Sequence, residues 1–133
     1  MTPAELFASA RVARLATVGP DSTPHLVPIV FAVTGSTIHT AVDHKPKHTR
    51  NLRRLTNITA NPRVTVLADH YDEDWSQLWW VRADGAATVL DESPETLAAL
   101  QAKYPQYLDI PPAGPYLRIA VDRWSSWVSA HYR

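Results

Sequence analysis

Short runs of β-branched and aromatic residues, alternating apolar with polar and broken by turn-forming residues, recur along most of this 133-residue chain and constrain its fold more than any other feature. A period of two sends successive side chains to opposite faces of an extended strand, so a chain patterned this way buries one face of a sheet. Residues 12–18 and 25–32 flank the turn Gly19-Pro20-Asp21-Ser22 and read as two antiparallel strands. Pro28 falls inside the second run and removes a ladder donor, which favours an edge position or a bulge there. Gly35-Ser36 turns the chain into a third strand at residues 37–42, and residues 64–68 form a fourth. Residues 78–90 are long enough for a fifth strand that bends or bulges at Gly85. Residues 116–121 form a sixth, with a pattern that runs on through Trp124 and Trp127.

Helical signals punctuate these strands. Thr2 is positioned to cap a short helix over residues 3–8, with Pro3 at its first position and Glu5 in its first turn. A second helix is expected from residue 47 to residue 55, ended by Asn61-Pro62. A third begins with Ser93 as cap and Pro94 at the first position and runs to about Lys103, with Leu97 and Leu100 facing inward. About six antiparallel strands with short flanking helices predict a mainly β (α+β) fold, a closed or nearly closed barrel forming one domain over residues 1–133.

The totals narrow the function. Thirteen basic and 13 acidic residues cancel, so no overall field draws the protein to nucleic acid or an anionic membrane, and any charge argument is local. The absence of cysteine removes disulfides, thiolate metal sites and cysteine nucleophiles. No run approaches the ~20 apolar residues needed to span a bilayer, and the first residues lack a signal-peptide pattern. A cytoplasmic protein without membrane association is expected.

Positive charge is concentrated in one segment. No acidic residue occurs between Asp43 and Asp69, whereas Lys45, Lys47, Arg50, Arg53, Arg54 and Arg63 all do. The cluster falls where a strand ends and a helix begins, a junction whose free N–H groups and helix dipole favour an anion, and its lysines and arginine suit one or two phosphates. On charge pattern alone, a solvated basic face explains it equally well. The acidic loop Asp69-His70-Tyr71-Asp72-Glu73-Asp74 lacks the order of a calcium loop and reads as a hairpin turn. Trp79 and Trp80 adjoin in a strand, so one enters the core and the other is left to meet a planar ring or a partner subunit. His44 and His48 have the spacing of a helical metal pair, but Pro46 interrupts it and no metal site is expected. No Gly-x-Ser-x-Gly elbow, Walker loop or Gly-x-Gly-x-x-Gly turn is present.

The strand order, the basic junction and the phrase Lys47-His48-Thr49-Arg50-Asn51-Leu52-Arg53-Arg54, followed by Asn61-Pro62-Arg63-Val64, resemble the pyridoxamine-phosphate-oxidase-like split barrels over nearly the whole chain. The particular likeness is to their actinobacterial branch that uses the deazaflavin coenzyme F420. That resemblance implies a homodimer with the coenzyme in grooves at the interface. Its phosphate would be held at positions falling here on Lys45, Lys47, His48, Thr49, Arg50 and Asn51. Where relatives often carry lysine beside the Thr-Arg-Asn triplet, this chain carries His48. Pro28, Ile29 and Val30 would lie along the ring system, and Trp79 or Trp80 of the partner subunit would cover it. The implied reaction is hydride transfer to a small electron-poor acceptor, with no nucleophile required of the protein and with Tyr71 and His70 as nominal proton donors. FMN in the same fold, or storage of coenzyme or haem without turnover, are the alternatives. A nucleic-acid surface is disfavoured because no aromatic residue lies between Lys45 and Arg63.

Overall fold

The computed structural model describes residues 1–42 and 52–129. Seven strands form one antiparallel sheet in the order β2-β1-β5-β6-β7-β4-β3. They are β1 (Ala13–Val18), β2 (Pro24–Ile29), β3 (Ala32–Thr34), β4 (Thr37–Ala41), β5 (Arg63–His70), β6 (Trp79–Leu90) and β7 (Tyr116–Val128). The sixfold expectation is corrected to seven because the run at residues 25–32 is two strands. The chain leaves β2 after Ile29, turns a corner at Val30-Phe31 and enters β3 at the opposite edge of the sheet. The alternation continues through the corner because Phe31 is fully buried, so a bend between sheet edges carries the same apolar signal as a strand. Pro28 sits on an edge strand, as its missing N–H requires.

The longest ladder joins β6 to β7 from Trp79↔Val128 to Leu90↔Tyr116. β1, β2 and β5 hang from one side of it and β3 and β4 from the other. Partway along, the register passes from Asp84↔Arg123 to Gly85↔Val121, leaving Asp122 as an extra residue with none opposite. Such a bulge bends and twists the ribbon and so curls the sheet. Gly85 is needed there because a Cβ would stand 2.2 Å from the Ala120 carbonyl oxygen. Inside the curl, Leu15, Val66, Val81 and Ile119 pack with Phe7 of α1 (Pro3–Ala8). The Phe7 ring lies 4.8 Å from Phe31 and 5.3 Å from Trp124. Thr2 and Glu5 close a reciprocal capping box on α1.

The second helix, α2 (Arg53–Ala60), starts later than expected: Leu52 is extended, and the helix expected from residue 47 does not pass through it. Its inward face is formed by the buried Asn57 and Ile58 with Leu55 packed against the same core, and the Asn57 amide donates to the Thr17 hydroxyl at 3.0 Å. α3 (Pro94–Lys103) is capped by Ser93 and buries Leu100, while Leu97 is half-buried. It packs on β3 and β4 over a second apolar cluster with Ala32, Ala41, Tyr104 and Tyr116. The pattern did not indicate the short α4 (Gln106–Asp109) or the 3-10 turn Trp75–Gln77. Among the described residues, no helix is long and apolar enough to cross a membrane.

Lys103 ends α3 in an unusual setting. Its ammonium donates to the carbonyls of Ala8 and Ala10 at 3.1 and 2.6 Å and lies 3.8 Å above the Phe31 ring. Burial, assisted by the nearby Arg11 guanidinium, lowers its pKa to about 8. Below pH 8 both folded and unfolded chains hold this proton, and the folded state carries the full desolvation penalty. Between that pH and the ordinary lysine value the unfolded chain binds more protons, so this group's contribution to stability rises with pH.

Two outcomes test this packing. Gly85→Ala will lower the unfolding free energy by about 3 kcal/mol, measured by urea denaturation, because the added methyl meets backbone that cannot rotate away. The stability difference between the unsubstituted protein and Lys103→Met will shift in favour of lysine as pH rises from 7.5 to 10.

Candidate functional site

The face of the sheet that points away from the core carries a patterned surface. Strand parity places Pro28, Arg14, Leu67, Arg82 and Ser125 in one cross-strand row over β2, β1, β5, β6 and β7. A neighbouring row sets Asp69 beside Trp80 and Trp80 opposite Trp127. Apolar side chains are left half-buried or exposed on this face: Leu67 and Trp80 are half-buried, while Leu26 and Trp127 retain 66% and 43% of their surface. Charges frame them. Arg14 approaches Asp69 at 3.8 Å, Arg82 approaches Asp84 at 3.6 Å, and the Arg82 guanidinium lies 5.5 Å from the centre of the Trp80 ring.

The bulge opens a concavity of about 610 Å³ on the same face, lined by Ala16, Thr65, Arg63, Asp84, Asp122 and Arg123. The extra residue Asp122 is gripped by both terminal nitrogens of Arg63 at 2.7 and 3.4 Å. Those hydrogen bonds hold the Asp122 carboxyl below its ordinary pKa and raise that of Arg63. Asp84 accepts from the Thr65 hydroxyl at 2.8 Å.

The structure separates the residues expected to meet a planar ring. Pro28 is exposed on the outer face, whereas the Ile29 side chain is in the core. Val30 is half-buried against the cluster beneath α3. Of the tryptophan pair, Trp79 is the core member and Trp80 keeps an available face. Of the two residues expected to cover a ring, Trp79 is therefore enclosed by its own core. Tyr71 and the His70–Asp72 pair, whose ring nitrogen and carboxylate lie 2.7 Å apart, are exposed where β5 ends at His70 and its loop begins. Lys45, Lys47, His48, Thr49, Arg50 and Asn51 lie outside the described residues. β4 leads directly to that segment, and its His39 is fully buried, with Nε2 at 2.7 Å from the Thr34 hydroxyl and Nδ1 at 2.9 Å from that of Thr96. Desolvation lowers the His39 pKa, so this imidazole is held neutral. Sequence reasoning missed His39 and the concavity, because both depend on partners distant in the chain. No group of three metal-ligating side chains occurs among the described residues.

An antiparallel sheet curled about one core, with edges β2 and β3 left unpaired with each other, defines the class of split β-barrels. The chain belongs to the pyridoxamine 5'-phosphate oxidase family, whose model matches residues 3–128. Its fold is shared with the conserved hypothetical protein Rv2991 from Mycobacterium tuberculosis, at 27% identity and a TM-score of 0.72 over 98% of this chain and 87% of that one. An FAD-binding protein from Mesorhizobium loti superposes with a TM-score of 0.69 at 21% identity over 92% of this chain and 87% of its own. The haem storage protein HutZ from Vibrio cholerae has the same fold, with a TM-score of 0.71 at 16% identity over 93% and 89% of the two chains. No curated protein matches in sequence.

Proposed function

We propose that this protein binds the deazaflavin coenzyme F420 and serves as an oxidoreductase for a small electron-poor acceptor, working as a homodimer with the coenzyme between the subunits. The observation that carries this reading is the outer sheet face. A flat heteroaromatic ring needs apolar surface with polar groups close by, and Pro28, Leu67 and Trp80 offer it on this face, interleaved with the Arg14–Asp69 and Arg82–Asp84 pairs. The basic segment after β4, with Lys45, Lys47, Arg50 and Asn51, gives the phosphate a partner. When bound, the coenzyme supplies the ring carbon that exchanges hydride. The protein's part is to hold the ring, exclude water and orient the acceptor. Pro28 and Trp80 do the first, and a second subunit laid over Leu26 and Trp127 does the second.

FMN is the alternative occupant, favoured by the likeness to an FAD-binding protein. Haem storage demands an axial ligand such as histidine. Among the described residues, His39 has both ring nitrogens bonded to threonines, His70 is bonded to Asp72, and His25 lies on the inner face of an edge strand. A ring coenzyme asks for no such ligand. The protein is read as acting away from membranes and nucleic acid, in the cytoplasm.

Titration with F420 and with FMN, followed by absorbance and fluorescence, tests the proposal. F420 is expected to bind more tightly, and reduced F420 in the complex to be oxidised faster when quinones or enoates are added. Tight FMN binding with no response to F420 would sink the first choice. Trp80→Ala is expected to weaken binding about fivefold through lost stacking. Lys47→Ala with Arg50→Ala is expected to weaken it by more than about tenfold, as loss of charge-assisted bonds requires. Sedimentation should find a dimer.

A further inference from the structure

The curled sheet has an unsolved problem at its split, and the solution lies far away in sequence. β2 and β3 are the sheet's two edges, and the corner Val30-Phe31 that joins them belongs to neither ladder. Phe31 is fully buried, so its backbone groups have no water to turn to. A single phenol meets them. The Phe31 N–H donates to the Tyr104 hydroxyl oxygen at 3.1 Å, and the Phe31 carbonyl lies 2.9 Å from the same oxygen. The Arg11 carbonyl is also 2.9 Å away, so the one hydroxyl proton is shared between two acceptors. The Thr40 hydroxyl donates to the Val30 carbonyl at 2.7 Å. Two side chains thus satisfy three backbone groups at the corner.

Tyr104 is itself held firmly. It retains 3% of its surface and follows the last turn of α3, where Lys103 is bound to Ala8 and Ala10. The Arg11 guanidinium lies 4.7 Å from its ring centre and donates to the Lys103 carbonyl at 3.2 Å. Val30 packs against the cluster that contains Tyr104. The corner is therefore held by Tyr104 at the end of α3 and by Thr40 of β4, neither of them in the strands it connects.

We propose that Tyr104 is a positioning residue for the coenzyme: through its hydroxyl it fixes the Val30-Phe31 corner, and hence where the C-terminal end of β2 presents Pro28 to the ring. The inference rests on the functional reading above, in which that end of β2 lines the coenzyme. Removing the hydroxyl leaves a buried N–H and a buried carbonyl without partners while keeping the ring that fills the cluster. A small displacement of a positioning element is enough to cost affinity and rate.

The test compares Tyr104→Phe with Tyr116→Phe, which removes another buried tyrosine hydroxyl of the same cluster, one bonded to the Pro112 carbonyl at 3.0 Å and not to the corner. Amide hydrogen exchange and F420 and FMN titrations are run on both and on the unsubstituted protein. Tyr104→Phe is expected to speed exchange at Phe31 and Ala32 about tenfold and to weaken coenzyme binding by a similar factor, whereas Tyr116→Phe does neither. Unchanged exchange in Tyr104→Phe overturns the proposal, as does a loosened corner with unchanged affinity. Equal weakening by the two variants also overturns it, since that marks general destabilisation. If the unsubstituted protein binds neither coenzyme, the functional reading falls, and the exchange comparison still decides whether Tyr104 holds the corner. Should Tyr104→Phe fail to fold, Thr40→Val removes the donor to the Val30 carbonyl with little change of shape and is read the same way.

Discussion

The close approach of Gly85 to the Ala120 carbonyl is the contact on which the rest of the architecture depends. β6 and β7 are the spine from which every other strand hangs, so the path of that spine decides whether the sheet stays open or encloses a core. One unpaired residue, Asp122, bends the ribbon, and the bend requires backbone to pass where any Cβ would stand. On the inner side it gathers Phe7, Phe31 and Trp124 into one aromatic contact set. On the outer side it turns Asp122 onto Arg63 and hollows the surface beside Asp84 and Arg123. A single backbone irregularity thus shapes both the core and the face to which function is assigned.

Curling a sheet without closing it leaves two edges that meet at a corner, and unsatisfied backbone there is costly once buried. The chain meets that cost with α3. The helix covers the β3–β4 edge through Leu100 and brings Lys103 and Tyr104 to carbonyls more than 70 residues away, from Ala8 to Phe31. Lys103 is held there by carbonyl dipoles and the Phe31 ring, with no carboxylate bridged to it among the described residues, and burial depresses its pKa accordingly.

Much of the barrel was legible because strand alternation is a local signal. The parity of Trp79 and Trp80, the bend at Gly85, the Thr2 and Ser93 caps and the edge position of Pro28 each follow from a few neighbouring residues. The misses share one cause. The corner at Phe31 reads as strand because it is buried, and a helix start at residue 47 is too early because Leu52, which has helical spacing with Leu55, is extended backbone. His39, Tyr104 and the concavity at Arg63 are made by partners far apart in the chain, where no periodicity points. The basic segment was legible as charge, but its residues from Lys45 to Asn51 lie outside the described structure.

Charge placement explains how a neutral chain can present an apolar face to water. Ion pairs at this level of exposure add little stability, so Arg14–Asp69 and Arg82–Asp84 have more effect through where they sit. They stand between Pro28, Leu67 and Trp80 along the rows of the outer face, dividing what would otherwise be one apolar patch, and Arg82 lies across the Trp80 ring. A guanidinium above an indole shields it from water yet is displaced at low cost, because the same cation can turn back to its aspartate. A planar ligand or a second subunit arriving on this face would therefore exchange one cation contact for apolar burial while every charge kept a partner.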